Sequence, residues 1–251
     1  MGIKTLYRSH FTGPGGINAV IPIALPMVIS QASDTLMMFT DRLFLARLSA
    51  AHLSAAMSGG ITAFMMMTFF SGLLGYINAL VAQYYGAGRK SRCAVASSQG
   101  LIVAFLAYPV VLGTIPLGRL VMTLFAHDPV QQALELEYFN ILMFGAVIAL
   151  VRVVLASFFS GIGRTAIVMT AHLVAMVVNI VANYVLIFGN FGCPALGMKG
   201  AAIGTLMGSS TAALILAVAY FNQANQRRYQ TRSSLRLDRD MMKRFLRFGA
   251  P

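Results

Sequence analysis

Along this chain apolar positions run on for 20 residues or more before polar ones interrupt them. Six such runs stand out, at Ile17–Phe44, Leu53–Val81, Ala94–Ile115, Tyr138–Phe159, Ala166–Phe188 and Ala201–Phe221. Crossing about 30 Å of hydrocarbon takes about 20 predominantly apolar residues in a helix. A barrel strand would show alternating segments of about ten. The runs therefore predict an all-α integral membrane protein, a bundle of six transmembrane helices. The interruptions are short and carry turn residues, as in Gly86-Ala87-Gly88-Arg89, Gly161-Ile162-Gly163-Arg164 and Gly189-Asn190-Phe191-Gly192, so successive helices pack up and down beside each other.

The flanks of the runs differ from them. Residues 1–16 form a short amphipathic segment on the cytoplasmic surface, separated from the first helix by Gly13-Pro14-Gly15-Gly16. Residues 17–221 make the helical lobe. Residues 222–244 are a basic cytoplasmic linker expected to lie along the inner surface, facing anionic lipid. At 245–251 an apolar run restarts and meets Pro251, much as the run from Ala19 meets Pro22 and Pro26. A basic linker followed by a restart is the pattern of an internal repeat, with the chain cut at the start of a second lobe.

Composition agrees with the pattern. Hydrophobic residues make up 58% of the chain and charged residues 10%, and the mean hydropathy is +0.74; a soluble domain carries about 25% charged residues. The net charge of +12 would suit nucleic acid, but its placement is a topology signal. With the N-terminus cytoplasmic, most Lys and Arg fall on the inner side: Lys4 and Arg8, then Arg89, Lys90 and Arg92, then Arg164, and then the linker. Cys93 and Cys193 fall on opposite faces and have no metal-ligand spacing. No cluster of nucleophile, metal ligands or loop carboxylates suggests an enzyme.

Ionisable groups inside the runs are the candidate chemistry, because such a group costs at least about 2.5–3.5 kcal/mol in a membrane helix and faces the bundle interior. Asp34 and Asp41 are seven residues apart, so they share one helix face about 10.5 Å apart. Neither has a basic residue three or four positions away to neutralise it. Asn179 and Asn183 are one turn apart, and His172 lies seven before Asn179, giving the fifth helix a polar stripe. Gln31, His172 and Arg152 are candidate cavity-lining residues. Pro22 and Pro26 kink the helix that carries Asp41 and supply a hinge. Gly200, Gly204 and Gly208 form a small-residue ladder for close helix approach.

Several stretches resemble the MATE (multidrug and toxic compound extrusion) transporters. They are the run from Pro26 through Asp41 to Leu48, Gln83-Tyr-Tyr-Gly-Ala-Gly-Arg89, Ser160-Gly-Ile-Gly-Arg164, and Asn179-Ile-Val-Ala-Asn183-Tyr-Val-Leu-Ile-Phe-Gly189 leading into Leu196-Gly-Met-Lys-Gly-Ala-Ala-Ile-Gly-Thr205. The resemblance covers nearly the whole chain. It implies the N-lobe of a twelve-helix, two-lobed antiporter that exports cationic or amphiphilic molecules in exchange for Na+ or H+, with the C-terminal lobe missing from this chain. It implies a multi-pass protein of the plasma or inner membrane, with no cofactor beyond the coupling ion and no resident metal. In one prokaryotic branch the N-lobe ion site maps to Asp41, Asn179, Asn183 and Thr205, with Asn183 standing where that branch has Asp. One carboxylate fewer weakens the hold on sodium. The expected ion- or proton-coupling set is Asp41, Asp34, Asn179, Asn183 and Thr205. The alternatives are a lipid-linked oligosaccharide flippase of related fold, favoured by a strongly basic cavity, and an inactive half-transporter.

Overall fold

A computed structural model of the chain describes residues 17–125 and 127–249; the expected N-terminal segment 1–16 lies outside them. In chain order the helices are α1 (Ile17–Ala46), α2 (Ala50–Gly75), α3 (Ile77–Gly86), α4 (Lys90–Gly113), α5 (Ile115–Leu124), α6 (Pro129–Phe144), α7 (Ala146–Gly161), α8 (Thr165–Phe188), α9 (Met198–Tyr220), α10 (Gln223–Tyr229) and α11 (Arg239–Gly249). By length and composition five spans can cross a membrane, or six when the bent pair α6 and α7 counts as one. They match the six apolar runs, with α2 and α3 together forming the second.

Two expected spans differ in detail. The fourth starts at Pro129, nine residues before its apolar run, and is bent by 49° between α6 and α7. A glycine at the bend makes room for the neighbouring helix: a Cβ on Gly145 would lie 2.1 Å from Leu206 Cδ2 of α9. The first span, by contrast, runs as one α-helix through both Pro22 and Pro26.

Each crossing helix is apolar almost all round, so residue size decides packing more than amphipathicity does. Helices α8 and α9 form the tightest pair, an antiparallel hairpin turned at Gly189, whose left-handed φ of 73° closes the end of α8. The ladder of small residues faces α8 in register. Gly200 approaches the backbone of Leu186, Gly204 approaches Asn183, and Gly208 approaches Asn179. Helix α1 lies along the other side of α8 and is exposed over most of its surface, including Val28, Leu36 and Phe39. The main core gathers Phe139, Phe158, Phe159 and Tyr220 among α4, α6, α7 and α9. A smaller one, with Leu45, Tyr138, Ile187 and Ala201, joins α1, α2, α6, α8 and α9.

The basic linker is folded onto the bundle. The side chain of Tyr229, at the end of α10, is buried against Phe158, with ring centroids 5.5 Å apart. Gln99, fully buried in α4, donates to the carbonyl of Arg236 at 2.8 Å and accepts from the N–H of Asp238 at 3.1 Å. Asp238 also pairs with Arg92 at 2.6 Å and caps α11 at the N–H of Met241 at 3.0 Å. One continuous helix, α11, crosses the expected boundary between linker and second lobe at 244/245.

The cap N–H of Met241, with Arg92 beside it, holds the Asp238 carboxyl below the usual carboxylate range. A depressed native value adds stability above the unfolded value of about 3.9 and loses it as pH falls through the native one. Hydrogen exchange across α11, corrected for intrinsic rates, is therefore expected to accelerate as the pH is lowered below about 4. Asp238→Asn should show the faster exchange already at pH 7 and lose that dependence.

Candidate functional site

The α1–α8 seam carries two polar layers. Counting alternating spans makes α1 and α8 parallel, and the contacts agree, because residue numbers on both helices rise together from one layer to the next. Asp34 faces His172, and seven residues further along Asp41 faces the Asn179–Asn183 pair. The step of seven corresponds to about 10.5 Å along the helix axis.

The first layer is centred on Asp41, which is 6% exposed. The amide of Asn183 donates to Asp41 Oδ1 and to Asn179 Oδ1 at 3.3 Å. Thr205 on α9 donates from its hydroxyl to Asp41 Oδ2 at 3.1 Å. Asn179 and Asn183 are fully buried. Asn183 Oδ1 and Asn179 Nδ2 are left without a partner. Among the described residues no cationic side chain lies within ion-pair distance of Asp41. The layer thus offers a carboxylate, two amide oxygens and a hydroxyl. That is the hard-oxygen chemistry suited to a small cation, and a carboxylate lacking a counter-charge suits a proton equally well.

The second layer differs in kind. Asp34 Oδ1 lies 3.6 Å from Arg152 Nη1 of α7 and 3.1 Å from His172 Nδ1 of α8. Asp34 therefore has a tertiary ion-pair partner that sequence neighbours could not reveal. Its side chain is 30% exposed and that of Arg152 is 23%. The expected coupling set is accordingly divided: Asp41, Asn179, Asn183 and Thr205 converge, while Asp34 joins Arg152 and His172. Gln31, one turn before Asp34, is exposed. The two cysteines are free, Cys93 buried and Cys193 partly so. Among the described residues no group of three or more His, Cys, Asp or Glu is placed to hold a metal. A groove of about 360 Å³ along α8 and α9 is lined by Val177, Val181, Met207 and other apolar residues, and it includes neither polar layer.

Glu135 and Gln99 are buried polar residues that the sequence did not single out. Glu135 of α6 is fully buried, with Oε1 taking a hydrogen bond from Gln131 Nε2 at 2.8 Å and lying 2.8 Å from His127 Nδ1. It precedes the apolar run of the fourth span, so it read as part of a connection, and only the extension of the helix back to Pro129 buries it. Gln99 lies inside its run, but nothing in the run marks it as the linker's anchor.

Comparison with known proteins agrees with this architecture. A sequence model of one transporter family, MatE, matches residues 26–185, which include Asp34, Asp41, Asn179 and Asn183. The chain belongs to the MatE family. The probable multidrug resistance protein NorM of Bradyrhizobium diazoefficiens is 30% identical over 230 residues, covering 91% of this chain and 49% of that protein. The multidrug resistance protein MdtK of Edwardsiella ictaluri is 29% identical, covering 74% of this chain and 41% of its own. The chain spans about half the length of the curated relatives it matches. A MOP superfamily transporter from Pyrococcus furiosus superposes with a TM-score of 0.82 at 21% identity, over 92% of this chain and 50% of its own. An outward-facing multidrug resistance MATE transporter gives 0.81 over 92% and 51%. At that identity the structures show a shared fold. The six-helix bundle corresponds to one lobe of this MatE architecture.

Gly204 is the residue that lets Asn183 stand against Asp41, since a Cβ there would fall 2.0 Å from Asn183 Oδ1. Gly204→Ala is expected to destabilise the lobe by about 1–3 kcal/mol in a detergent unfolding titration. Gly72→Ala, where nothing lies within 4 Å of the added Cβ, serves as the neutral control. Equal effects at the two sites would show that the α8–α9 approach is looser than it stands.

Proposed function

We propose that this chain is the ion-binding lobe of a secondary antiporter that exports cationic or amphiphilic small molecules in exchange for Na+ or H+. The observation that carries this reading is the Asp41 layer: a buried carboxylate whose partners are all neutral, set on the most exposed helix of the lobe. Such a group gains most from a cation or proton. Its seat on the seam between α1 and α8 lets that gain act on the packing of α1. Sequence similarity to NorM and MdtK supports the export of drugs. The substrate passes between this lobe and a second one, for which the half-length match and the largely apolar exposed face of α1 speak. The concentration of basic residues at the linker end supports placing that end on the cytoplasmic side.

In this reading Asp41 binds the ion, Asn183 and Thr205 orient the carboxylate, and Asn179 holds the Asn183 amide and contributes an oxygen. Asp34, already paired with Arg152, is a charge-compensated neighbour that shapes the seam together with His172, and Gln31 lies on the same exposed side. Pro22 and Pro26 remove backbone hydrogen bonds from α1 and lower the cost of bending it. An ion moving down a potential of 100 mV releases about 2.3 kcal/mol per charge, and each pH unit adds about 1.4 kcal/mol for a proton. The flippase alternative calls for a strongly basic cavity. Among the described residues Arg152 is held by Asp34, and Arg42 follows Asp41 near the end of α1; the two do not build a strongly basic cavity, which favours export of cations instead.

Ion binding can be measured without the second lobe. Calorimetric titration of the 251-residue chain in lipid nanodiscs with Na+, and proton release measured in parallel, should show one site that Asp41→Asn abolishes. Asn183→Asp adds a second carboxylate and is expected to tighten Na+ at least about tenfold, equivalent to about 1.4 kcal/mol. Absence of both Na+ binding and proton exchange at Asp41 would overturn the assignment. Efflux of a fluorescent cation from vesicles, driven in turn by sodium and proton gradients, then tests export by the completed transporter.

A further inference from the structure

The linker end of the lobe is built as a fixed surface. Gln99 clamps the backbone on both sides of Leu237, through Arg236 and Asp238. Arg92 and the cap at Met241 hold Asp238. Arg164 reaches Asn225 at 3.2 Å, and Asn225 in turn holds the end of α9 through the carbonyl of Ala219 at 2.7 Å. Seated by these contacts, α11 turns Met241 and Phe245 into the core. The opposite face, at helical spacing, carries Arg239, Lys243, Arg244 and Arg247 with the acid Asp240 among them, all exposed. Two exposed apolar side chains, Leu246 at 44% and Phe248 at 60%, flank that basic face on its two sides.

The surroundings extend the pattern. Arg89, Lys90 and Arg92 lie exposed where α3 passes into α4, the helix on which the linker is anchored. Arg227, Arg228, Arg232 and Arg236 are exposed along the linker itself. Against them stand two acids in the linker, Asp238 and Asp240, and Asp238 is taken up by Arg92. Leu235 and Leu237, 53% and 57% exposed, project between the cations. Just before the linker begins, α9 presents Leu214 and Val218 outward, each 65% exposed. An outward apolar wall that passes directly into a basic surface interleaved with apolar side chains is the profile of the boundary between hydrocarbon and headgroups.

We propose that this surface is a binding platform for anionic phospholipid, with the basic face of α11 taking the headgroup phosphates and Leu246 and Phe248 entering the acyl boundary. This goes beyond an excess of positive charge that merely sets topology. A topology signal needs charge alone, whereas here the cations are arrayed on a docked helix between apolar margins. The platform does not depend on the ion site, and it ties the segment that follows the lobe to the composition of the leaflet at that end. Each Lys or Arg near an anionic surface strengthens attachment by about fivefold, so three residues of α11 are expected to act strongly together.

The test is native mass spectrometry of the 251-residue chain released from mixed micelles holding equal amounts of phosphatidylglycerol and phosphatidylcholine with identical acyl chains. The chain is expected to retain phosphatidylglycerol at least about tenfold over phosphatidylcholine, with the preference falling as salt is raised. Lys243→Gln, Arg244→Gln and Arg247→Gln together, all at the surface, should bring the ratio near one. Arg47→Gln with Arg119→Gln, at the other end of the lobe, should leave it unchanged. Equal retention of the two lipids by the unmodified chain would overturn the proposal, as would a preference that survives the triple substitution. Displacement of the lipid by millimolar inorganic phosphate would reassign the site to a soluble phosphate and equally sink the lipid platform.

Discussion

A carboxylate inside a membrane lobe must find its hydrogen bonds from other helices, because hydrocarbon supplies none. Asp41 meets that demand with an amide from α8 and a hydroxyl from α9, and much of the lobe is arranged so that it can. The two helices can deliver those groups because glycines on α9 face the asparagines of α8 in antiparallel register. Removing side chains from one helix makes space for polar side chains on the other. The α8–α9 approach is therefore the tightest packing in the lobe, and beside it the α1–α8 seam holds its most polar interior, a combination that lipid-exposed surfaces do not permit.

The two layers on that seam divide the work of charge. In one, Asp34 is balanced by Arg152, and the pair joins α1 to α7 as well as to α8. In the other, Asp41 is hydrogen-bonded to neutral groups that hold its geometry without forming an ion pair. Separating the partly exposed Asp34–Arg152 pair would leave each charge without its partner, so the Asp34 layer favours staying closed. The Asp41 layer has only neutral hydrogen-bond partners, and the proposed ion site rests on that contrast. Both sit on the helix with the least buried surface, where a change in local packing has the fewest neighbours to work against.

The linker shows the same economy at the polar end of the lobe. Gln99, too deep in α4 to reach water, uses both ends of its amide on the backbone of the linker, and Arg92 and Asp238 complete the attachment at the surface. What composition alone presents as a basic loop is an ordered element with one face in the core and another free to meet charged headgroups.

The hydrophobic pattern by itself determined the six spans, their alternation and the membrane class, because the cost of exposing a backbone to lipid leaves a run of 20 apolar residues almost no other conformation. It also marked Asp41, Asn179 and Asn183 as interior groups, since polar residues within such runs must face inward. Spacing along one helix placed Asp34 and Asp41 on a shared face. It could not reveal that Arg152, more than a hundred residues away, neutralises only the first. The fourth span's early start buried Glu135 against the reading of its flank, and the anchoring of the linker on Gln99 had no local signature at all. These features depend on which helices become neighbours. That choice follows from glycine-lined close approach and the matching of polar groups across helices, interactions that exist only once the bundle has formed.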